Sequence, residues 1–136
     1  MPNRPQATSE TFVSLSEDKT ANADTLITSI TDALLQKKAK KIVLLDVREL
    51  TSLTDYFVVC HGTSDTQIKA LADHVMEETQ KKIGEKVWKM EGLDARRWII
   101  LDYVNVVVHI FSEEKREFYG IERMWNDAPL REIDDN

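Results

Sequence analysis

WIILDYVNVVVHIF, residues 98–111, consists of two apolar runs on either side of the segment Asp102-Tyr103-Val104-Asn105. Both runs are rich in β-branched residues, which favour strands, and Asp and Asn suit turn positions. The sequence therefore predicts an antiparallel hairpin. A tight two-residue turn at the centre of the segment would place Trp98 opposite His109.

This register gives the hairpin one aliphatic face and one mixed face, because side chains alternate along a strand. The aliphatic face holds Ile99, Leu101, Val106, Val108 and Ile110. The mixed face holds Trp98, Ile100, Asp102, Asn105, Val107 and His109. We expect the aliphatic face to lie under helices, whereas a Trp among polar groups is typical of a protein-binding surface.

We therefore predict partner-binding roles on the mixed face and its turn. The predicted residues are Trp98, Ile100, Asp102, Tyr103, Asn105 and His109. The alternative interpretation is structural: Trp98 packs under a loop or under the C-terminal helix, and His109 is a hydrogen-bonded core histidine.

The segments around the hairpin complete an α/β pattern. Apolar residues recur at helical spacing over residues 24–39, 65–83 and from Ser112 to Trp125, with Ser64 and Ser112 as predicted N-caps and Gly84 as a C-terminal stop. Further strands are predicted at residues 42–45, 56–60 and 86–90. The sequence thus predicts a single α/β domain with a mixed five-stranded sheet flanked by helices.

The two ends of the chain lack this periodicity. Residues 1–22 are rich in Ser, Thr, Asn and Pro, so we predict a disordered N-terminal arm, and residues 127–136 are predicted to form a disordered acidic tail. The folded domain is expected to span residues 23–126.

Composition narrows the classes of function. The chain has 136 residues, enough for one domain, and 18 Lys and Arg against 24 Asp and Glu give a net charge of −6. This balance disfavours a free-standing nucleic-acid binder or RNA chaperone and suits a basic protein partner. No apolar run is long enough to cross a membrane, no signal peptide is visible, and the single Cys60 has no disulfide partner, so the expected location is the cytoplasm.

Signatures of catalysis are missing. No phosphate-binding glycine loop, nucleophile elbow or zincin motif occurs, and the three histidines fall on different predicted elements. The carboxylates Asp46, Asp55 and Asp102 lie near strand ends and could in principle bind magnesium. However, no Asp-x-Asp or Asp-x-Glu occurs in the chain, so we expect no catalytic site, metal site or cofactor.

Several ordered motifs resemble the ribosomal silencing factor (RsfS, Iojap) family. They are Asp46-Val47, the run from Leu53 to Cys60, Gly62-Thr63-Ser64, Ala72-Asp73-His74-Val75, Glu91-Gly92, the run from Trp98 to Asp102, the run from Val106 to Phe111, and Arg116, Tyr119, Glu122 and Trp125. The resemblance covers about residues 24–126, nearly all of the predicted domain.

The resemblance implies a fold related to nucleotidyltransferases but without their catalytic carboxylates. It also implies a non-enzymatic factor that binds protein fourteen of the large ribosomal subunit, blocks joining of the small subunit and represses translation. A homodimer is implied for the free protein, with little direct RNA contact. The competing hypothesis is a magnesium-dependent nucleotidyltransferase that uses Asp46, Asp55 or Asp102.

Overall fold

The structure is a computed structural model that describes the backbone of residues 9–134 and the side chains of residues 23–134. In chain order its elements are α1 (Ser9–Gln36), β1 (Lys40–Asp46), β2 (Tyr56–Gly62), α2 (Asp65–Ile83), β3 (Lys89–Glu91), β4 (Trp98–Asp102), β5 (Val106–Ser112), α3 (Glu113–Tyr119), α4 (Ile121–Met124) and β6 (Leu130–Ile133). The sheet order is β3-β4-β5-β2-β1-β6, and β2 and β5 are its parallel pair, so the sheet is mixed.

The aliphatic face of the sheet packs against α1 and α2, as the sequence predicts. All five predicted aliphatic residues of the hairpin are fully buried, together with Ile30 and Leu34 of α1 and Leu71 and Val75 of α2. Full burial of one such side chain stabilises the fold by about 1.5–3 kcal/mol, so this layer contributes strongly to folding.

The predicted caps of α2 are confirmed. The Ser64 hydroxyl accepts a hydrogen bond from the Gln67 N–H, and Gly84 closes the helix in the left-handed conformation with φ +69°. Ser112 likewise caps α3 by accepting from the Lys115 N–H.

The predicted turn register of the hairpin is wrong by two residues. Trp98 lies opposite Phe111 rather than His109, and the turn centres on Val104 and Asn105, with the Tyr103 N–H donating to the Val106 carbonyl. Val104 takes a left-handed φ of +77°, which its side chain disfavours, while the Asp102 carboxylate accepts from the Val104 N–H. Because the slip is an even number of residues, every side chain keeps its predicted face.

Both predicted disordered ends contain regular structure. Helix α1 begins at Ser9, well before residue 24, so residues 9–22 are helical, while the first eight residues of the predicted arm lie outside the described residues. In the predicted acidic tail, β6 pairs with β1 and makes the sheet six-stranded rather than five-stranded, with Asp135 and Asn136 outside the described residues. Pairing satisfies backbone groups of β1 that would otherwise form a free edge.

Two further boundaries differ from the predictions. The single predicted C-terminal helix is divided into α3 and α4 at Gly120, whose left-handed φ of +59° interrupts the helix. Strand β3 begins at Lys89 rather than Lys86. Within residues 9–134, no helix is long and apolar enough to span a membrane.

Candidate functional site

The face of the sheet opposite α1 and α2 is only partly covered. Helix α4 and Ala128 bury Val43, Val59 and Phe111 on the side of β1, β2 and β5. Towards β4, five neighbouring side chains stay half-exposed and form what we term the open face. Its members are Phe57, Trp98, Ile100, Asp102 and Val107.

Trp98 lies at one end of the open face and joins an aromatic cluster. Its ring centroid is 5.0 Å from Phe111 in a stacked arrangement and 4.5 Å from Tyr119 of α3. Tyr119 is 41% exposed and its neighbour Phe118 is 70% exposed, so the apolar surface continues from the sheet onto α3. Exposed contiguous aromatic surface of this kind is typical of protein-binding sites.

A hydrogen bond to the buried His109 fixes the orientation of the Trp98 ring. The Trp98 Nε1–H donates to His109 Nδ1 at 3.1 Å, so the imidazole proton of neutral His109 lies on Nε2. His109 is only 6% exposed, and burial lowers the pKa of its imidazole to about 4. The neutral form, which alone can accept at Nδ1, is therefore the form present near neutral pH.

The Nε2 atom of His109 has no hydrogen-bond partner among the described residues, and the Phe57 ring lies edge-on to the imidazole at 5.0 Å between centroids. His109 thus supports the open face from inside the fold. His109 is thus a core histidine, as the structural interpretation expects. Trp98 packs on Tyr119 of α3 and is only partly buried, and its role in partner binding stays a prediction.

The other predicted site residues separate into two groups. Ile100 and Asp102 share the open face with Trp98. Tyr103 lies in the core beneath α2, where its hydroxyl is 2.9 Å from the Thr79 hydroxyl. Asn105 is half-buried at the turn, and its carbonyl accepts from the N–H groups of Asp55 and Tyr56. The structure therefore brings Trp98, Ile100 and Asp102 together and places Tyr103 on the opposite side of the sheet.

A glycine is required at position 92, where the backbone lies close to the backbone of Trp98. It adopts a φ of +84°, and a Cβ atom there would collide with the Trp98 carbonyl oxygen. A side chain at this position would push the start of β4 away from the β3 connection.

Two aspartates of the competing hypothesis, Asp46 and Asp102, lie far apart in the sheet. In adjacent strands, Asp102 lies opposite Val107, and Val107 lies opposite Phe57. Phe57 in turn lies opposite Leu45, the residue before Asp46. Asp102 and Asp46 are therefore separated by three strand spacings, or about 14 Å. Two metal-bridging carboxylates need far closer spacing.

Asp46 is also engaged by a cation. Arg48 donates from Nε and Nη2 to its two carboxylate oxygens at 2.9 and 2.7 Å, and these hydrogen bonds lower the pKa of Asp46. Within the described residues no group of three or more His, Cys, Asp or Glu could hold a metal ion. Burial raises the pKa of the Cys60 thiol to about 12, so this cysteine is a core residue and a poor nucleophile.

A partly buried ion pair fixes α3 and α4 beside the open face. Arg116 donates to the Glu122 carboxylate at 2.7 Å and lies 3.0 Å from His61 Nδ1. Arg116 also reaches the Lys40 carbonyl at 3.3 Å, so one side chain joins α3, α4, β1 and β2. The pair has a sequence separation of six, which matches no helical spacing, and the sequence alone gave no signal for it.

Sequence reasoning placed Phe57 in an apolar strand but did not assign it to the open face. That assignment depends on the parallel pairing of β2 with β5, which places Phe57 beside Val107. A strand that is apolar on both sides carries no signal of which side is left uncovered.

Comparison with known proteins identifies the family. Residues 19–136 match the family described as "Ribosomal silencing factor during starvation". The chain is 41% identical over 98 residues to the ribosomal silencing factor RsfS of Bacillus subtilis, covering 72% of this chain and 82% of that protein. It is 32% identical over 111 residues to the mouse protein named "Mitochondrial assembly of ribosomal large subunit protein 1", covering 80% of this chain and 47% of that one.

The fold agrees with this match. A crystal structure of a Chromobacterium violaceum protein superimposes with a TM-score of 0.72 at 34% identity, covering 76% of this chain and 85% of that one. The sequence motifs and the structure point the same way, and the chain belongs to the ribosomal silencing factor family, whose named role is regulatory rather than enzymatic.

Proposed function

We propose that this protein silences translation by binding protein fourteen of the large ribosomal subunit through the open face, so that the small subunit cannot join. The observation that carries the proposal is the half-exposed Trp98, held rigidly by His109 and continued by Tyr119. An aromatic anchor fixed in one rotamer loses little entropy on binding, which is a property of interface hot spots.

Charge supports a basic partner. The end of the sheet that carries the hairpin turn also carries the carboxylates of Asp55 and Asp102, and the whole chain has a net charge of −6. Ribosomal proteins are generally basic, so complementary potentials would speed encounter and orient the partner. The mouse relative, named for assembly of the large ribosomal subunit, supports assignment to that subunit.

The mechanism needs no chemistry. A domain of this size on the joining face of the large subunit would occupy space that the small subunit needs, and repression would follow by mass action from its concentration and affinity. Physiological salt would weaken the association mainly by slowing encounter, because rim charges are screened over about 8 Å.

Sedimentation with separated ribosomal subunits tests the proposal. We expect the protein to pellet with free large subunits, not with small subunits or assembled ribosomes, and to reduce subunit joining measured by light scattering. Equal pelleting with both subunits would contradict the proposal.

A pair of variants links this binding to the open face. Ile100→Glu places a carboxylate on the open face and should abolish binding. Met90→Glu adds the same charge at an exposed position of the neighbouring strand, on the other face of the sheet. It should bind like the wild type, provided that both variants melt cooperatively.

We also propose that the free protein self-associates through the open face. The open face is expected to pair two free copies as a homodimer, which the ribosomal partner would displace. Sedimentation equilibrium of wild type and Ile100→Glu checks this, with a monomeric variant as the expected result.

A further inference from the structure

Four lysines are concentrated at one corner of this acidic protein. Lys37, Lys38, Lys40 and Lys41 occupy the connection between α1 and β1, which we term the lysine turn, and all four are exposed. Removing these four from the 18 Lys and Arg leaves 14 against 24 Asp and Glu, so the rest of the chain has a net charge of −10. The lysine turn therefore concentrates positive charge at one corner, where Asp134, just after β6, is a carboxylate that lines the same cavity as Lys38, Lys40 and Lys41.

These ammonium groups are not used within the fold. In the part of the chain whose side chains are described, none of the four forms an ion pair, whereas Lys69, Lys82 and Lys89 each pair with a carboxylate. The four lysines also lie beyond the last turn of α1, which ends at Gln36. Stabilising the helix dipole accounts for the first lysines after the helix but not for Lys40 and Lys41, which already belong to β1.

The backbone of the lysine turn is held in one conformation. The N–H groups of Lys38 and Ala39 donate to the carbonyls of Leu35 and Leu34, which closes α1 in a Schellman arrangement. From α2, the Gln67 side-chain amide donates to the Lys37 and Lys38 carbonyls at 3.2 and 3.1 Å. The charges therefore project from a fixed platform rather than from a mobile tail.

Lys38 stands at a position that normally holds glycine. Its φ is +67°, close to the +69° of Gly84, which ends α2 in the left-handed conformation. A lysine in this conformation costs stability relative to glycine. A substitution to glycine would therefore remove the charge without straining the backbone.

The sheet register places the lysine turn beside the open face. Lys40 lies opposite His61, His61 opposite Phe111, and Phe111 opposite Trp98. Lys40 and Trp98 are thus three strand spacings apart in one row, about 14 Å, whereas a protein interface of ordinary size covers roughly 800 Å² on each partner. One docking event can engage both.

We infer that the lysine turn binds the phosphodiester backbone of RNA, and that on the ribosome it contacts ribosomal RNA next to the protein held by the open face. The location of this contact rests on the proposed function; the RNA binding itself does not. The neighbouring amide of Gln67 already donates to the Lys37 and Lys38 carbonyls, so the lysines recognise phosphates as point charges, independent of sequence. The open face would supply specificity, and the lysine turn would supply salt-dependent affinity.

Binding to a short RNA duplex, followed by fluorescence anisotropy over a range of salt concentrations, tests the inference directly. The quadruple variant replaces Lys37, Lys38, Lys40 and Lys41 with Gln. If each lysine neutralises one phosphate, the slope of log affinity against log salt should fall by about 3.6 in magnitude, and wild-type affinity should drop roughly 150-fold between about 50 and 200 mM salt.

A charge-matched control replaces Lys81, Lys82, Lys86 and Lys89 with Gln. Lys81 and Lys82 lie in the last turn of α2, whose first turn carries Gln67 and touches the lysine turn, so they are about 21 Å from Gln67 along the helix. This control should keep the wild-type affinity and slope. A lysine-turn variant that matches the wild type, or a control that loses as much affinity, would overturn the inference.

Two further measurements separate this inference from the proposed function. The quadruple variant should bind isolated protein fourteen like the wild type but large subunits at least tenfold more weakly, with a reduced salt slope. If the wild-type protein bound the duplex through its lysines but did not bind large subunits, the proposed function would be contradicted. The inference of RNA binding would still stand. Polyglutamate that competed as well as RNA at equal charge would overturn the assignment to RNA.

Lys38→Gly tests whether misfolding, rather than loss of charge, explains weaker RNA binding. It removes one charge and the left-handed lysine together, so it should melt at or above the wild-type temperature while binding RNA several-fold more weakly. Unchanged RNA affinity in this variant would contradict a role for Lys38.

Discussion

Replacing Trp98 with Ala removes both the anchor of the open face and a structural contact, and the two losses can be measured separately. Truncation of an interface anchor typically costs about 2 kcal/mol or more, which is roughly a thirtyfold loss of affinity. Large-subunit binding should therefore disappear at concentrations where half of the wild-type protein is bound.

The structural cost follows from the contacts of Trp98. Its ring packs on Phe111 and Tyr119, and each aromatic pair contributes about 0.5–1.5 kcal/mol. Its Nε1–H satisfies the buried His109 Nδ1, and loss of that donor costs about 1–3 kcal/mol. The free energy of unfolding should fall by about 3 kcal/mol in total, which lowers the melting temperature of a domain of this size by roughly 10 °C.

Trp98→Phe distinguishes the two roles. It keeps an aromatic ring on Phe111 and Tyr119 but loses the donor to His109, which points into the fold and not towards a partner. We expect this variant to lose about 1 kcal/mol or more of stability while keeping most of the binding.

Calorimetry with large subunits well below the melting temperature of each variant measures binding of the folded protein, and thermal unfolding by circular dichroism measures stability. Wild-type affinity of Trp98→Ala at a temperature where the variant is fully folded would contradict a role of Trp98 in binding. In that case Trp98 would be purely structural, and the interface would have to be sought on Tyr119 and Trp125.

Three other predictions concern chemistry, pH and backbone geometry. We expect no magnesium-dependent nucleotidyl transfer from the wild type or from Asp46→Asn, Asp55→Asn or Asp102→Asn. Incorporation of labelled nucleotide by the wild type that was lost in one of these variants would support the enzymatic hypothesis. Burial lowers the pKa of His109 from 6.5 to about 4, so the unfolded chain takes up a proton in this range while the folded chain does not. Stability should be complete above about pH 6.5 and should fall by about 3 kcal/mol as the pH drops to 4, and His109→Gln should flatten this dependence in urea titrations. Gly92→Ala should cost about 2 kcal/mol or more because its Cβ meets the Trp98 backbone, whereas Gly84→Ala, which meets no atom within 4 Å, should cost about 1 kcal/mol; equal losses would show that the collision relaxes.

Local patterns in the sequence determined the elements whose signals lie close together in the chain. Alternation in residues 98–111 assigned each side chain to its face, and the assignment survived a wrong turn because the error was an even number of residues. Ser64, Gly84 and Ser112 marked helix ends because capping depends on backbone groups only a few residues away. The ordered motifs of the family were likewise readable without a structure.

Contacts between distant segments were decided only by the tertiary structure. The tail residues Leu130–Ile133 show no strand alternation, and they become β6 because the edge of β1 offers unpaired backbone groups. The parallel pairing of β2 with β5 brings Phe57 to the open face, and the same rows of the sheet bring Lys40 to within three strands of Trp98. Periodicity reports which side of an element is apolar, but it carries no information on which element covers that side. Coverage depends on pairing and loop closure over many residues, and that coverage buried His109 and left Trp98 half-exposed.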